Sequence, residues 1–473
     1  MDDMISEQVR AAESDIAERI RQLSIWKSEK NLLLRALVDF WRDGLELAYT
    51  RFAHAAMFQS SESFEAAKAM EHEVNTRVFW CLKWALEYAP SSAAAGPTVE
   101  EIVDAVVTVG VPYQLLVDAL KFATVGGNEL DADADAHTLT VYEGGSISGY
   151  DHAIVEVAHT SLLFHQQTPL VEDSDQLTTN WTAGDYRRYW EWLANLAKEA
   201  ETETILAQAG PLAPRQRICK RPVVFEVPEP PFGLRSVQQD LTLTQHKIDT
   251  GMKWKLAEWQ DCPLVQIGPH AYSVSSIIQA LSGVEDYMLR IAVLNDRCQY
   301  ERISGLREER MLALCKSVFE TASWTFEPHL LLNDPPREID GYAARGEQDV
   351  VVQLKSTLRP HSPWEVYKRN SDVIDGIKHT AGVLPRFRDN ALGFVVTDGY
   401  EGDYLTWAES LSSRVPVATL QDLSVIAADP VGAFRYLASR AGIEGKPTHD
   451  PVPERVIDLC GWTLRLIDTA KPV

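Results

Sequence analysis

Arg337-Glu338-Ile339-Asp340-Gly341, followed by Val350-Val351-Val352-Gln353-Leu354-Lys355, is the stretch on which the reading of this 473-residue chain turns. Arg337–Ala344 and Asp349–Ser356 each read as a strand, with Arg345-Gly346-Glu347-Gln348 between them as a turn. A Gly-X pair at Gly346-Glu347 suits a two-residue hairpin loop, so the two runs are expected to pair antiparallel. In that register facing residues sum to 693, which sets Asp340 opposite Gln353 and Glu338 opposite Lys355. Side chains alternate along a strand, so these four are expected on one face. Ile339 against Leu354 and Gly341 against Val352 then form the opposite, core-facing side.

Two carboxylates, an amide oxygen and an ammonium on one patch suit a hard cation. Mg²⁺ takes oxygen ligands and keeps several waters, which leaves room for a phosphate; Mn²⁺ accepts the same donors. Such an ion polarises a phosphoryl oxygen and lowers the pKa of a bound water, while Lys355 is placed to orient that water or offset developing charge. A blander reading stands beside it: a surface hairpin whose charges form an exposed ion pair contributing about 0–1 kcal/mol.

The flanking pattern extends the argument. Gly305–Phe319 reads as an amphipathic helix and Ser323–Leu332 as a strand; the hairpin follows, then a helix over Pro363–Val383 and strands at Asn390–Thr397 and Val415–Leu420. The order αβββαβ, with the acid on the second strand and Gln-x-Lys on the third, resembles the restriction-endonuclease-like, or PD-(D/E)xK, nuclease superfamily over about Glu301 to Ala428. The resemblance implies that Asp340 is the metal-binding Asp, that Gln353 occupies the Glu/Gln ligand position and that Lys355 is the catalytic Lys. Gln at this position resembles the variant seen in methylation-dependent restriction enzymes and their relatives, and it removes one negative charge from the site. Many members add a Glu from the first helix, for which Glu309 and Glu308 are the candidates, both about a turn earlier than the usual spacing. Glu338 is a further candidate metal ligand. The implied activity is Mg²⁺-dependent (or Mn²⁺-dependent) hydrolysis of phosphodiester bonds, DNA before RNA, in a setting such as bacterial genome defence. The alternative is a nuclease fold without activity, used as a binding or assembly module.

Charge bears on the substrate. The chain carries 45 Lys+Arg against 68 Asp+Glu, a formal net charge of −23, which argues against a protein that coats DNA indiscriminately. Val351–Asn390 departs from that background with seven cations against four acids, a net of +3. Arg359, Lys368, Arg369 and Lys378, with His379, are expected where a phosphate backbone would run beside the site.

The remainder is expected to complete a multi-domain α/β protein with a mostly helical N-terminal half. Residues 1–95 read as a helical domain, in which the stripe Phe79-Trp80, Leu82 and Trp84-Ala85-Leu86 serves helix packing or an oligomer or partner interface. In residues 96–210, helices at Thr98–Val107 and Val111–Phe122 precede a strand pair at Leu130–Asp135 and His137–Glu143, a winged-helix-like order. Its acidic wing favours protein contact over DNA. A proline-rich linker over 211–235, a helix-and-hairpin connector over 236–300, the nuclease-like domain over 301–428 and two helices over 429–473 complete the expectation. Asp131-x-Asp133-x-Asp135 opens like a calcium loop, but Ala136 stands where Gly is needed and Tyr142 where Glu is needed. His152, His159 and His165 lack metal-ligand spacing, and Gly144–Gly149 lacks the Gly-Lys-Ser/Thr ending of a phosphate loop. Scattered cysteines without a C-x-x-C pair suggest reduced thiols, and the absence of a signal sequence or of a run of 18 apolar residues suggests a soluble, cytoplasmic protein.

Overall fold

The computed structural model describes residues 7–58, 61–92, 95–114, 116–117, 120, 129–143, 169–209, 221–250, 257–281, 285–333, 335–356, 358, 360, 363–444 and 454–468. Arg359, His152, His159, His165 and the Gly144–Gly149 loop lie outside the described residues. The chain is α/β with a helical N-terminal half, and it divides into two compact units. One comprises Met1–Ile147, Asp173–Arg297 and Pro451–Val473; the other comprises Ser148–Glu172 and Cys298–Asp450. Among the described residues no helix is long and apolar enough to cross a membrane.

In the first unit the helices Lys30–Phe58 and Ser61–Tyr88 pack together. Leu33, Leu34, Leu37, Val38, Trp41 and Leu45 recur at helical spacing and are buried. The aromatic stripe is core: Phe79, Trp80 and Trp84 are buried, and Trp84 meets Trp26 edge-on at 5.9 Å. That burial decides for helix packing and leaves no exposed stripe to form an interface. The winged-helix expectation is corrected. No turn separates two helices, because Val99–Val103 runs into a π-helix over Asp104–Gly110 and on into helical residues 111–114. Gly110 serves close packing, since a Cβ there would stand 3.1 Å from the Arg77 carbonyl oxygen. The strand pair exists (Glu129–Asp133 with Thr138–Glu143), but it belongs to a four-stranded sheet and is no wing. Asp133 Oδ1 accepts from the backbone N–H of Asp135 (3.0 Å) and Ala136 (2.9 Å), so its carboxylate closes its own turn.

Two further expectations change. Part of the proline-rich stretch is a strand, Val224–Val227, paired with His270–Val274 of the expected hairpin. After a helix at Pro430–Glu444 comes a hairpin, Glu454–Leu459 with Trp462–Asp468, where a second helix was predicted. Trp462, Leu464 and Leu466 are buried at a period of two, and Cys460 and Gly461 both hold positive φ, as a two-residue type I′ loop requires.

The longer segment of the second unit opens with helix α1 (Arg297–Thr321), followed by β1 (Thr325–Leu332), β2 (Arg337–Arg345), β3 (Gln348–Lys355), α2 (Pro363–Val383), β4 (Leu392–Thr397), α3 (Tyr404–Ser413), β5 (Val417–Thr419), α4 (Leu423–Ala428) and α5 (Pro430–Glu444). The five strands form one sheet in the order β5-β4-β3-β2-β1. β1, β2 and β3 pair antiparallel, whereas β3, β4 and β5 run parallel. The parallel pairs need crossovers, and α2 and α3 supply them. Gly346 holds φ +63° at the first loop position, as a type II′ turn asks, and the ladder from Gly341–Val352 to Arg345–Gln348 keeps the register read from the sequence. Helices cover both faces, so β3 and β4 are apolar on both. Val350, Val352, Phe394 and Val396 face the cluster of Met311, Cys315 and Phe319, while Val351 and Val395 face the residues of α2.

Candidate functional site

β2 and β3 bring Asp340 and Gln353 together. Gln353 Nε2 donates to Asp340 Oδ2 in a short hydrogen bond, and the Leu354 backbone N–H donates to the same oxygen at 2.6 Å. The backbone ladder stops one pair earlier, at Gly341–Val352, so the carboxylate takes over a strand N–H that would otherwise lack its ladder partner. Lys355 ends β3 on the side of α2. A Cβ at Gly376 would stand 3.0 Å from Lys355 Cε and 3.4 Å from its Cγ, so the glycine gives the lysine stem its place against the helix. Among the described residues the Lys355 ammonium makes no hydrogen bond or ion pair, and it lies close enough to act electrostatically on Asp340.

The expectation that Glu338 shares this face is corrected. Ile339 packs with Val351 and Val383 under α2, whereas Leu354, its expected partner, belongs to the opposite cluster. Tyr342 also packs in the Ile339 cluster, so strict alternation fails between Ile339 and Tyr342, at Asp340. Glu338 turns to His329, whose Nδ1 lies 2.7 Å from its Oε1, and the Glu338 carbonyl oxygen meets His379 Nε2 at 2.9 Å.

The helix acids are not brought to the site either. Glu308 and Glu309 are exposed on α1, while Ile303, Arg307, Met311, Cys315 and Phe319 form its buried row at every fourth position. Arg307 therefore faces the sheet, forming a fully buried ion pair with Asp398 just beyond β4; the Ser356 hydroxyl donates to Asp398 Oδ2 at 3.2 Å. Arg307, Asp398 and Gly376 escaped the sequence reading. An arginine inside an i, i+4 apolar row was the available signal for the first. On α2, Lys368 and Lys378 are exposed, whereas Arg369 is half-buried and pairs with Asp372 at 3.4 Å.

Burial is the largest influence on Asp340 and raises its carboxyl above the ordinary range, with Glu338 adding to it; the Leu354 N–H, Lys355 and His329 pull the other way. Gln353 Oε1 is a buried oxygen without a hydrogen-bond partner. Asp340 Oδ1 accepts no hydrogen bond among the described residues, since both bonds go to Oδ2. Hard oxygen donors of this kind suit Mg²⁺ or Mn²⁺, and Asp340 and Gln353 are the residues that would hold such an ion. Among the described residues no group of three or more His, Cys, Asp and Glu side chains converges on such a point, so these two donors would leave most positions on a cation to water and substrate. Comparison with protein-family models, with curated proteins and with solved structures returned no match.

Proposed function

We propose that the second unit hydrolyses phosphodiester bonds in nucleic acid, DNA in the first place, with a divalent cation held by Asp340 and Gln353. The observation that carries this reading is the joining of Asp340 to Gln353 across β2 and β3, with Lys355 one strand repeat beyond, on an αβββαβ framework whose third strand runs parallel to the fourth. When bound, the cation supplies Lewis-acid polarisation of the phosphoryl oxygen and a water of lowered pKa. Lys355, which makes no ion pair among the described residues, offsets charge that develops on the phosphoryl group. Lys368 and Lys378, exposed on α2, give the phosphate backbone a positive path in an otherwise acidic chain. The helical N-terminal half regulates or recruits, and genome defence is a setting suggested only by analogy of architecture.

A second reading has its own support. The Gln353 amide nitrogen faces Asp340, Glu338 is turned to His329, and no denser ligand cluster is present among the described residues, as a nuclease-like scaffold used for binding would have it. Cleavage of supercoiled and linear DNA in Mg²⁺ or Mn²⁺ decides between them. Wild type is expected to cut, and Asp340→Ala and Lys355→Ala to lose about 10²–10³-fold in rate. No cutting together with no heat of Mn²⁺ binding in calorimetry would favour the scaffold.

A further inference from the structure

His329 stands where the ladder between β1 and β2 is interrupted. The pairs from Arg337–Leu332 to Ile339–Leu330 and from Gly341–Pro328 to Ala344–Thr325 keep one register, which sets His329 opposite Asp340, yet that one pair is missing. His329 holds φ +52°, in the left-handed region that a residue with a side chain enters at a cost. Phe326 and Leu330, an even number of residues apart, pack in different clusters, so β1 changes face at this same point. Both strands therefore break their alternation together, at His329 and Asp340.

The imidazole is held on one side and open on the other. Its Nδ1 lies 2.7 Å from Glu338 Oε1; an ionised carboxylate only accepts, so Nδ1 carries a proton there. Among the described residues Nε2 has no hydrogen-bond partner, and the side chain is 61% exposed. His379 fixes the same stretch of β2 from the side of α2, through the Glu338 carbonyl oxygen at 2.9 Å. A kink that merely keeps an edge strand from pairing would account for the backbone. It gives no reason for a histidine in place of glycine, or for a carboxylate that orients the ring.

We propose that His329, oriented by Glu338 and protonated at both ring nitrogens when substrate is bound, is a further substrate-contacting residue of the Asp340–Gln353–Lys355 site, with its Nε2–H donating to a phosphodiester oxygen of bound nucleic acid. Backbone strain held at one residue is the pattern of a position retained for function. The inference rests on the nuclease reading above, and Glu338 acts in it as a positioning residue.

The test uses the full chain and compares wild type, His329→Gly, His329→Gln, Glu338→Gln and Asp340→Ala. Thermal midpoints are read beside kcat and KM for a labelled DNA duplex in Mn²⁺. Glycine accepts the left-handed φ, so His329→Gly is expected to keep or raise the midpoint while losing about tenfold or more in kcat/KM, mainly through KM. His329→Gln, which retains a terminal N–H, recovers part of that loss, and Glu338→Gln shows a smaller loss in the same parameter. A His329→Gly variant with wild-type kcat/KM, where wild type cuts and Asp340→Ala does not, overturns the assignment and leaves the nuclease reading standing. So does a loss of activity that comes with a lowered midpoint, which would make the residue structural. A wild type that does not cut removes the nuclease reading and this inference with it.

Discussion

Replacing Asp398 by Asn tests how the second unit ties its first helix to the strand ends beside Lys355. The side chains of Arg307 and Asp398 are 1% and 0% exposed, so neither charge has water to fall back on. Removing the carboxylate leaves a buried guanidinium against a neutral amide. Breaking one side of a buried pair costs about 3–5 kcal/mol, and the lower end is expected here because the amide oxygen still accepts a hydrogen bond. Arg307→Met removes the other charge of the same buried pair and should cost as much. The double substitution removes both charges, so its loss should fall short of the sum by about 1–3 kcal/mol. A chain of two compact units need not unfold in a single step, so the measurement is native-state hydrogen exchange of the amides in Gln348–Lys355 and Leu392–Thr397. A loss of about 3 kcal/mol reads as roughly a hundredfold faster exchange in the slowest of them. Single variants that change exchange by less than about threefold, or losses that simply add, would refute the claim that this pair anchors α1 to β3 and β4.

Three further outcomes are expected. Burial raises the Asp340 carboxyl, so its neutral form is favoured in the fold. That contribution is fully present below the unfolded carboxylate range and is lost as pH rises through the folded value. Asp340→Asn should therefore raise the thermal midpoint at neutral pH, with the gain fading towards about pH 3; an unchanged midpoint at neutral pH would contradict it. Gly341→Ala places a Cβ 2.5 Å from Phe326 Cζ, inside a packed cluster, and should cost about 1–3 kcal/mol in urea unfolding, most of it regained in a Phe326→Leu background. Cys298 is exposed, whereas burial pushes the Cys262 thiol up to about 11 and the Cys315 thiol up to about 12. A disulfide reagent should therefore label Cys298 in the native protein and reach Cys262 and Cys315 only after unfolding.

The parts of this fold that were legible beforehand are those set by short-range chemistry. The helix Pro363–Val383 ends where the reading placed it, because proline suits a first helical turn and the apolar period continues from it. Gly346 set the loop, the loop set the register, and the register brought Asp340 to Gln353. The C-terminal hairpin was misread because Trp462 and Leu464 anchor a helix or a strand equally well until a partner is known. That partner, Thr138–Glu143, is more than 300 residues away in the chain.

The strand identity of β2 and β3, their hairpin register and the pairing of one acid with one amide were thus determined by the sequence itself, since each depends on neighbours within a turn or a loop. Which side chains surround that pair was decided by the tertiary structure. Packing of Ile339 and Leu330 under α2 broke the alternation, sent Glu338 to His329 and set His329 in a left-handed conformation opposite Asp340. The rotation of α1 that buries Met311 and Phe319 carried Arg307 inward and left Glu308 and Glu309 in solvent. Burial of apolar surface is non-directional and long-range in sequence, so it can override a local side-chain pattern that no neighbouring residue defends.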